Sequence, residues 1–321
     1  MPRKAKKVEV DHKAEIVKNL NIMMEYEEIN KEPYKVKAYK NAINSLLGLE
    51  KIDSVETVKG LPGIGKKIED KIDEYFRIGK ITEVERVLHD DKYILKNKLM
   101  NIYGVGPAKI AELSKKIEKF EDLYLEKNKG LLNDKQQIGL KYYDALLERI
   151  PYKEASQHNK YIGKVLKKIS KDIDYCMVGS FRRKSKTVGD VDILIKNNAK
   201  LNLKDFIKML EDDAYILETL ASGANKFMGI CKIGDNSARR IDILVANDSY
   251  YFFAMLYFTG SYTFNIMMRN KALEKGLSLS EYGFKHKETN VDAVEINEKI
   301  KSEEDIFKVL DMEYVEPKKR L

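Results

Sequence analysis

The sequence predicts a multidomain α+β protein, on three observations. Apolar positions recur at helical spacing from residue 11 to about residue 149, and that region contains one turn motif twice. Beyond Pro151, β-rich runs alternate with helical ones. A chain of 321 residues is long enough for several domains with proper cores, since domains usually run to roughly 100 to 200 residues. With 43% hydrophobic and 34% charged residues, the composition is that of an ordinary globular protein. No apolar run approaches the roughly 18 residues of a membrane span, and Met1-Pro2-Arg3-Lys4 lacks the apolar stretch of a signal peptide, so a reducing, intracellular setting and no membrane partner are expected. Cys176 and Cys231 lie far apart without histidine spacing near either, and are expected as small buried hydrophobes rather than a zinc site or a disulfide. A net charge of +8 and a pI near 9.0 favour a polyanionic partner, nucleic acid or an acidic membrane, without choosing between them.

Residues 1–9 hold the basic run Arg3-Lys4-Ala5-Lys6-Lys7, open to reading as an import signal, a DNA-contacting arm or a solvated tail. From Asp11 to about Lys80, Ile16, Leu20, Met23 and Met24 stand at helix spacing, and Leu61-Pro62-Gly63 interrupts with a tight turn. A second helical region runs from Lys92 to about Arg149, broken at Gly104-Val105-Gly106-Pro107. The two breaks share one form, Gly-apolar-Gly followed by a basic helix-forming stretch: Gly63-Ile64-Gly65-Lys66-Lys67 and Gly104-Val105-Gly106-Pro107-Ala108-Lys109. This is the form of a helix-hairpin-helix. Its glycines let the backbone approach a phosphate, while the following helix offers unpaired N–H groups and its positive dipole end. Such a device grips a backbone and ignores base sequence. The carbonyls around each turn, those of Lys59, Leu61 and Ile64 and of Met100, Ile102 and Val105, could hold Na⁺ or K⁺.

Strands are predicted at residues 174–178, 191–195 and 240–245, with a helix over about Leu203 to Asp212 between the last two. From Tyr250 the chain is helical again, and it ends in the basic tail Pro317-Lys318-Lys319-Arg320. After the first strand comes Gly179-Ser180-Phe181-Arg182-Arg183, and nine residues beyond Ser180 stands Gly189-Asp190-Val191-Asp192. Carboxylates at i and i+2 of a strand point the same way. Asp190 and Asp192 can therefore share a pair of divalent ions, and Asp242, flanked by apolar residues on a later strand, supplies a third ligand. Phosphoryl transfer uses two Mg²⁺ roughly 3.5 to 4 Å apart, one lowering the pKa of the attacking hydroxyl and one neutralising the leaving pyrophosphate. Mn²⁺ can take the same ligands. Gly179 and Ser180 open a turn into a helix able to cradle triphosphate oxygens, and Arg183 would oppose their charge. The chemistry implied is attack of a hydroxyl on the α-phosphate of a nucleoside triphosphate.

These residues resemble the DNA polymerase X family, most closely its β type, over about residue 10 to Pro317. The most specific stretches are Gly179-Ser180-Phe181-Arg182-Arg183, Arg239-Arg240-Ile241-Asp242-Ile243, Leu256-Tyr257-Phe258-Thr259-Gly260-Ser261 and Ala272-Leu273-Glu274-Lys275-Gly276. The resemblance implies a helical lyase domain over residues 10–86 and a duplex-binding helical subdomain over 87–150. A nucleotidyltransferase palm with a mixed sheet over 151–248 and a nucleotide-binding subdomain over 249–321 would follow. It implies a gap-filling, template-directed polymerase, probing gapped or nicked duplex DNA with deoxynucleoside triphosphates, working as a monomer, with a DNA ligase or other repair protein as partner. The nucleus, or wherever the genome is replicated, is the implied location.

By the same resemblance Asp190, Asp192 and Asp242 bind the metals, with Asp242 also accepting the proton of the primer 3′-hydroxyl. Ser180, Arg183 and Gly189 would contact the triphosphate, and Tyr257, Phe258 and Gly260 would lie against the sugar and exclude a 2′-hydroxyl. Asn265 would reach the minor-groove edge of the incoming base and Arg269 the templating strand. Gly63, Gly65, Gly104, Gly106 and Arg240 fall among the DNA contacts. Lys71 stands where β-type enzymes carry the lysine that forms a Schiff base with a 5′-deoxyribose phosphate. That attack needs a neutral amine, whereas an exposed lysine has a pKa of about 10.4. Lys67 and Lys35 are expected as neighbouring cations that ease deprotonation and hold phosphate, with Tyr39 orienting the site.

Several positions depart from the β pattern. Leu244 stands where the resemblance implies an arginine that exchanges partners with the second metal aspartate as the enzyme closes. Tyr262 and Ile266 replace an aspartate and a lysine near the nascent pair. Tyr34 and Glu83 replace basic residues of the lyase region, and the segment Lys232 to Ala238 is short. That short segment and the two hairpins weigh against a template-independent transferase. The intact carboxylates weigh against a non-catalytic DNA-binding scaffold.

Overall fold

The structure is a computed structural model and describes residues 10–197 and 200–320, so the basic run Arg3–Lys7 lies outside the described residues. Two compact units divide the chain between Gln136 and Gln137.

The first unit contains α1 (Lys13–Ile29), α2 (Pro33–Leu47), α3 (Lys66–Ile78), α4 (Thr82–Leu88), α5 (Asp91–Met100) and α6 (Pro107–Leu113). Local chemistry sets several ends. Pro33 opens α2, where a missing N–H costs nothing. The Asp90 carboxylate caps α5 by accepting from the Tyr93 amide at 3.0 Å. The spacing of Ile16, Leu20 and Met23 yields one fully buried stripe on α1, packed with Ala42 and Leu46 of α2 and Ile72 of α3, while Met24 is half-buried.

The two glycine turns are built alike. Gly63 and Gly104 have φ of 82° and 78°, in the left-handed region. Gly65 and Gly106 are extended and cap α3 and α6. In each turn the amide of the apolar residue donates back three positions, Ile64 to the Leu61 carbonyl at 3.0 Å and Val105 to the Ile102 carbonyl at 3.1 Å. A Cβ on Gly63 would lie 3.1 Å from the Asn41 backbone carbon, so close packing as well as φ demands glycine there.

From α7 (Asp134–Lys141) and α8 (Tyr143–Leu147) the chain continues through β1 (Ile150–Pro151), α9 (Tyr152–Ile169), β2 (Tyr175–Met177), α10 (Gly179–Arg182), β3 (Thr187–Val188) and β4 (Val191–Lys196). It then forms α11 (Leu203–Asp212), β5 (Ile216–Ser222), β6 (Lys226–Cys231) and β7 (Arg239–Ala246). The last stretch holds α12 (Tyr251–Thr259), α13 (Tyr262–Glu274), β8 (Leu277–Ser280), β9 (Gly283–His286), α14 (Val294–Asn297) and α15 (Glu303–Val309). The three expected strands and the expected helix are present, and the architecture is α+β.

Five strands make the central sheet in the order β2-β4-β7-β6-β5, with β4 and β7 parallel and the other neighbours antiparallel. Alternation sorts the side chains. Ile193 and Ile195 of β4, Phe227 of β6 and Ile241 and Ile243 of β7 join Ile162 and Leu166 of α9 and Phe206 and Leu210 of α11 in one buried core. The opposite face carries Asp192, Asp242 and Leu244, and farther along it Leu194 packs on Tyr251 and Ala254 of α12. The hairpin β5–β6 is an addition to the predicted strands, and it places β6 between β5 and β7.

In the C-terminal basic stretch Lys318 and Lys319 are exposed, as in a tail, whereas Arg320 is packed into the fold. Arg320 is fully buried, its guanidinium over the rings of Phe264, Phe307 and Tyr314 at 5.4 to 5.5 Å. It donates to the Val315 carbonyl at 2.8 Å and to Glu303 at 2.7 Å. Arg182 donates to the other oxygen of Glu303 at 2.5 Å and to the buried Thr259 hydroxyl at 2.9 Å. Burial of a charge is tolerated when it is paired and hydrogen-bonded, and Glu303 serves two arginines at once.

Candidate active site

Parallel pairing puts Asp192 of β4 level with Asp242 of β7, both on the face away from the buried core. Asp190 precedes β4 by one residue. The three carboxylates each offer an oxygen, and these oxygens lie within 4.8 Å of one another. An oxygen-only donor set of three carboxylates suits a hard divalent cation. Asp242 Oδ1 is buried without a hydrogen-bond partner, an acceptor that an ion in this cluster would satisfy.

Like charges in a confined place raise each other's proton affinity. Burial pushes Asp192 up to about 7, the neighbouring Asp242 adds to the shift, and Arg183 opposes it. Asp242 is raised by burial as well, eased by Arg240 and Lys226. Arg240, expected among the DNA contacts, is here paired through its guanidinium with Asp190, and its Nε lies 4.0 Å from Asp242.

Lys226 is the residue that sequence reasoning missed. It lies on β6 opposite Leu244 of β7, and the two help line a cavity of about 30 Å³ with Asp192, Asp242 and Phe258. The signal was the run Lys226-Phe227-Met228-Gly229-Ile230-Cys231, legible as a strand only once the hairpin is recognised. Leu244 thus sits beside the aspartates with a lysine of the neighbouring strand across from it.

The start of β7 is held from behind. Arg239, almost fully buried, donates Nε to Glu154 Oε1 at 2.7 Å and a terminal nitrogen to Oε2 at 3.1 Å, a two-pronged pair. One helical turn on, the buried His158 meets the Tyr215 hydroxyl at 2.6 Å, and burial pushes its pKa down to about 4. Cys231 is fully buried against this group and Cys176 is half-buried; both are free thiols.

Gly179, which opens α10, has φ of 59°, and a Cβ there would run into Asp192 Oδ2. Gly179→Ala is therefore expected to cost about 1 to 2 kcal/mol of stability from the left-handed backbone alone. By displacing the Asp192 carboxylate it should also weaken divalent-cation binding by the three carboxylates. Thermal melting without and with Mg²⁺ measures the two effects.

Ser180 is half-buried on α10, and Gly189 is exposed beside Arg149. Arg183 donates to the Thr259 carbonyl at the end of α12, next to Gly260, which is left-handed at φ 66° and followed by a cis peptide bond to Ser261. Tyr257 and Phe258 are half-buried in α12 with their rings edge to face. Asn265 and Arg269 share a face of α13, but both are turned onto Tyr257. Asn265 donates to its carbonyl at 2.7 Å, and the Arg269 guanidinium lies 5.2 Å from its ring centre.

In the first unit Lys71 lies on α3 with its side chain 18% exposed. The expectation of neighbouring cations is not what the structure places against it: its Nζ is 2.5 Å from Glu83 Oε2 on α4. Lys35 pairs with Glu27 at 3.1 Å, and Lys67 is exposed. Tyr39 is buried, and burial together with Glu83 and Glu27 raises its pKa.

Comparison with known proteins covers nearly the whole chain. Residues 149–248 match the DNA polymerase beta palm, 254–321 the DNA polymerase beta thumb, 11–81 a helix-hairpin-helix domain and 97–147 the fingers domain of DNA polymerase lambda. DNA polymerase lambda of Arabidopsis thaliana is 30% identical over 291 residues, covering 84% of this chain and 54% of that protein. DNA polymerase lambda of Rattus norvegicus is 28% identical over 326 residues, covering 95% and 56% respectively. The DNA polymerase type-X family protein pol4 of Schizosaccharomyces pombe is 27% identical over 328 residues, covering 95% and 63%. The chain thus spans little more than half the length of these relatives. With matches to four successive domains in order, and a carboxylate cluster at the centre of the palm match, the chain belongs to the DNA polymerase X family and is β-like.

Proposed function

We propose that this chain is a template-directed DNA polymerase of the repair type, filling short gaps in duplex DNA and removing a 5′-deoxyribose phosphate in base excision repair. The observation that carries the synthetic half is that Asp192 and Asp242 on one sheet face, and Asp190 just before β4, bring carboxylate oxygens within 4.8 Å of one another. Those three residues would hold two Mg²⁺, with Mn²⁺ as a substitute. Such ions, when bound, supply activation of the primer 3′-hydroxyl and neutralisation of the pyrophosphate.

The chain's own groups do the rest. Asp242 Oδ1, buried and unpartnered, is placed to accept the proton of the 3′-hydroxyl. Gly179, Ser180 and Gly189 line the place for the triphosphate, and Arg183 opposes its charge. Tyr257, Phe258 and Gly260 exclude a 2′-hydroxyl. Arg240 must give up Asp190, and Asn265 and Arg269 must leave Tyr257, before the nascent base pair is read. The turns at Gly63-Ile64-Gly65 and Gly104-Val105-Gly106 grip the DNA backbone, with Na⁺ or K⁺ at the carbonyls of Lys59, Leu61, Ile64, Met100, Ile102 and Val105. Lys71 is the lyase nucleophile, with Lys35, Lys67 and Tyr39 around the sugar phosphate. A DNA ligase or another repair protein is the expected partner of a monomer acting where the genome is replicated.

Primer extension with Mg²⁺ on a one-nucleotide gap tests this reading. The expected result is insertion of the template-complementary deoxynucleotide alone. Addition without a template would make the protein a terminal transferase, and no addition would leave a DNA-binding scaffold. DNA affinity should fall steeply with salt because phosphate contacts dominate it.

A further inference from the structure

The pair Lys71–Glu83 is set up by the chain path between α3 and α4. Gly79, with φ of 78°, ends α3 in the left-handed conformation and turns the chain back. Glu74 latches the return by accepting from both the Thr82 hydroxyl and, at 3.3 Å, the Thr82 amide. Glu83, in the first turn of α4, then meets Lys71 on α3 at 2.5 Å. The lysine side chain is 18% exposed and the glutamate 36%, so the pair is mostly enclosed yet open on the glutamate side. Arg86 lies 3.7 Å from the other oxygen of Glu83, while Lys35 is engaged by Glu27.

A lysine can form a Schiff base only after its ammonium loses a proton, and the acceptor must lie within hydrogen-bond reach. Neighbouring cations would ease that loss by repulsion. Here a carboxylate stands at the proton itself. We propose that Glu83 is the proton carrier of the lyase reaction, an inference that rests on Lys71 being the nucleophile. Glu83 takes the proton from the Lys71 ammonium, and the neutral amine adds through its electron pair to the C1′ aldehyde of the opened deoxyribose phosphate. The carbonyl oxygen becomes a hydroxyl by receiving a proton from the same nitrogen. Protonated Glu83 then gives its proton to that hydroxyl, the C1′–O bond breaks, and water leaves. The products are the protonated Schiff base and the original carboxylate, with no net change in protons.

The test uses the full chain and a duplex whose one-nucleotide gap carries a 5′-deoxyribose phosphate, with borohydride trapping rates measured from pH 6 to 9. Glu83→Gln should trap about 10²-fold more slowly at pH 7, the usual scale of general acid–base catalysis. Its deficit should shrink toward pH 9 as hydroxide takes over the carboxylate's role. Glu83→Asp should recover part of the rate. Trapping by Glu83→Gln at or above the wild-type rate at pH 7 would overturn the proposal and make Glu83 a restraint on the lysine. Circular dichroism melting establishes that each variant folds. Should Glu83→Gln not fold, Glu83→Ala takes its place, and trapping by it at or above the wild-type rate at pH 7 overturns the proposal. Wild-type trapping by Lys71→Ala would show a different failure, that of the nucleophile assignment itself.

Discussion

Asp192→Ala is expected to lower nucleotide addition at a one-nucleotide gap by at least about 10³-fold, equivalent to about 4 kcal/mol of transition-state stabilisation. Binding of gapped DNA, proposed to rest on phosphate contacts at the two glycine turns, should change little. Single-turnover incorporation and equilibrium binding separate the two, and retained synthesis would show that Asp192 is not a metal ligand. The same carboxylate makes a second, signed expectation. Its pKa is about 7 in the folded protein against 3.8 for the ordinary side chain, so the folded state binds its proton more tightly than the unfolded chain does. Stability without metal therefore falls as the pH rises from about 4 to about 7, and the full cost stands above that. Asp192→Asn removes the cost. At pH 8 without divalent ions it should raise stability by roughly 2 to 4 kcal/mol, a melting shift of about 5 to 10 °C, with almost no shift at pH 4. Mg²⁺ should raise the melting temperature of the wild type at pH 8 and leave the variant nearly unmoved.

Glu303→Ala should produce the largest loss of stability. The glutamate is 4% exposed and accepts from Arg320, which is fully buried, and from Arg182. Removing it strands two guanidinium charges, one of them enclosed by Phe264, Phe307 and Tyr314. Breaking a buried ion pair from one side typically costs about 3 to 5 kcal/mol. A melting temperature lower by roughly 8 to 15 °C follows. Arg182 ends α10 just before Arg183 and holds Thr259, so the proposed polymerase activity should fall with stability. A cost below about 1 kcal/mol would mean that the arginines find water or other partners when the glutamate is gone.

How much was legible in advance differs from element to element. Helix α11 is found over the expected residues because its capping Asn202 and strong amphipathic pattern are local. The hairpin β5–β6 was not legible. Register shifts at Ile216/Glu218 and Thr219/Ala221 break the alternation that marks a strand, and β5 is an edge strand carrying Glu218 and Thr219. Missing it hid Lys226. In sequence Arg320 is only the end of a basic tail, since nothing beside it announces that Glu303 and three aromatic rings converge on it. Lys71 lies on the helix that follows the first glycine turn, but where the sequence leads one to expect neighbouring cations the structure sets Glu83 against it.

The sequence by itself determined which face of the sheet carries Asp192 and Asp242, and where the chain must turn at Gly63 and Gly104. Strand alternation and the left-handed φ open to glycine are properties of a few covalently linked residues. Only the tertiary structure decided the charge partners: Arg240 on Asp190, Glu83 on Lys71, Glu303 between Arg182 and Arg320. Electrostatic partners are chosen by distance in space, and that distance is set by the packing of elements remote in sequence.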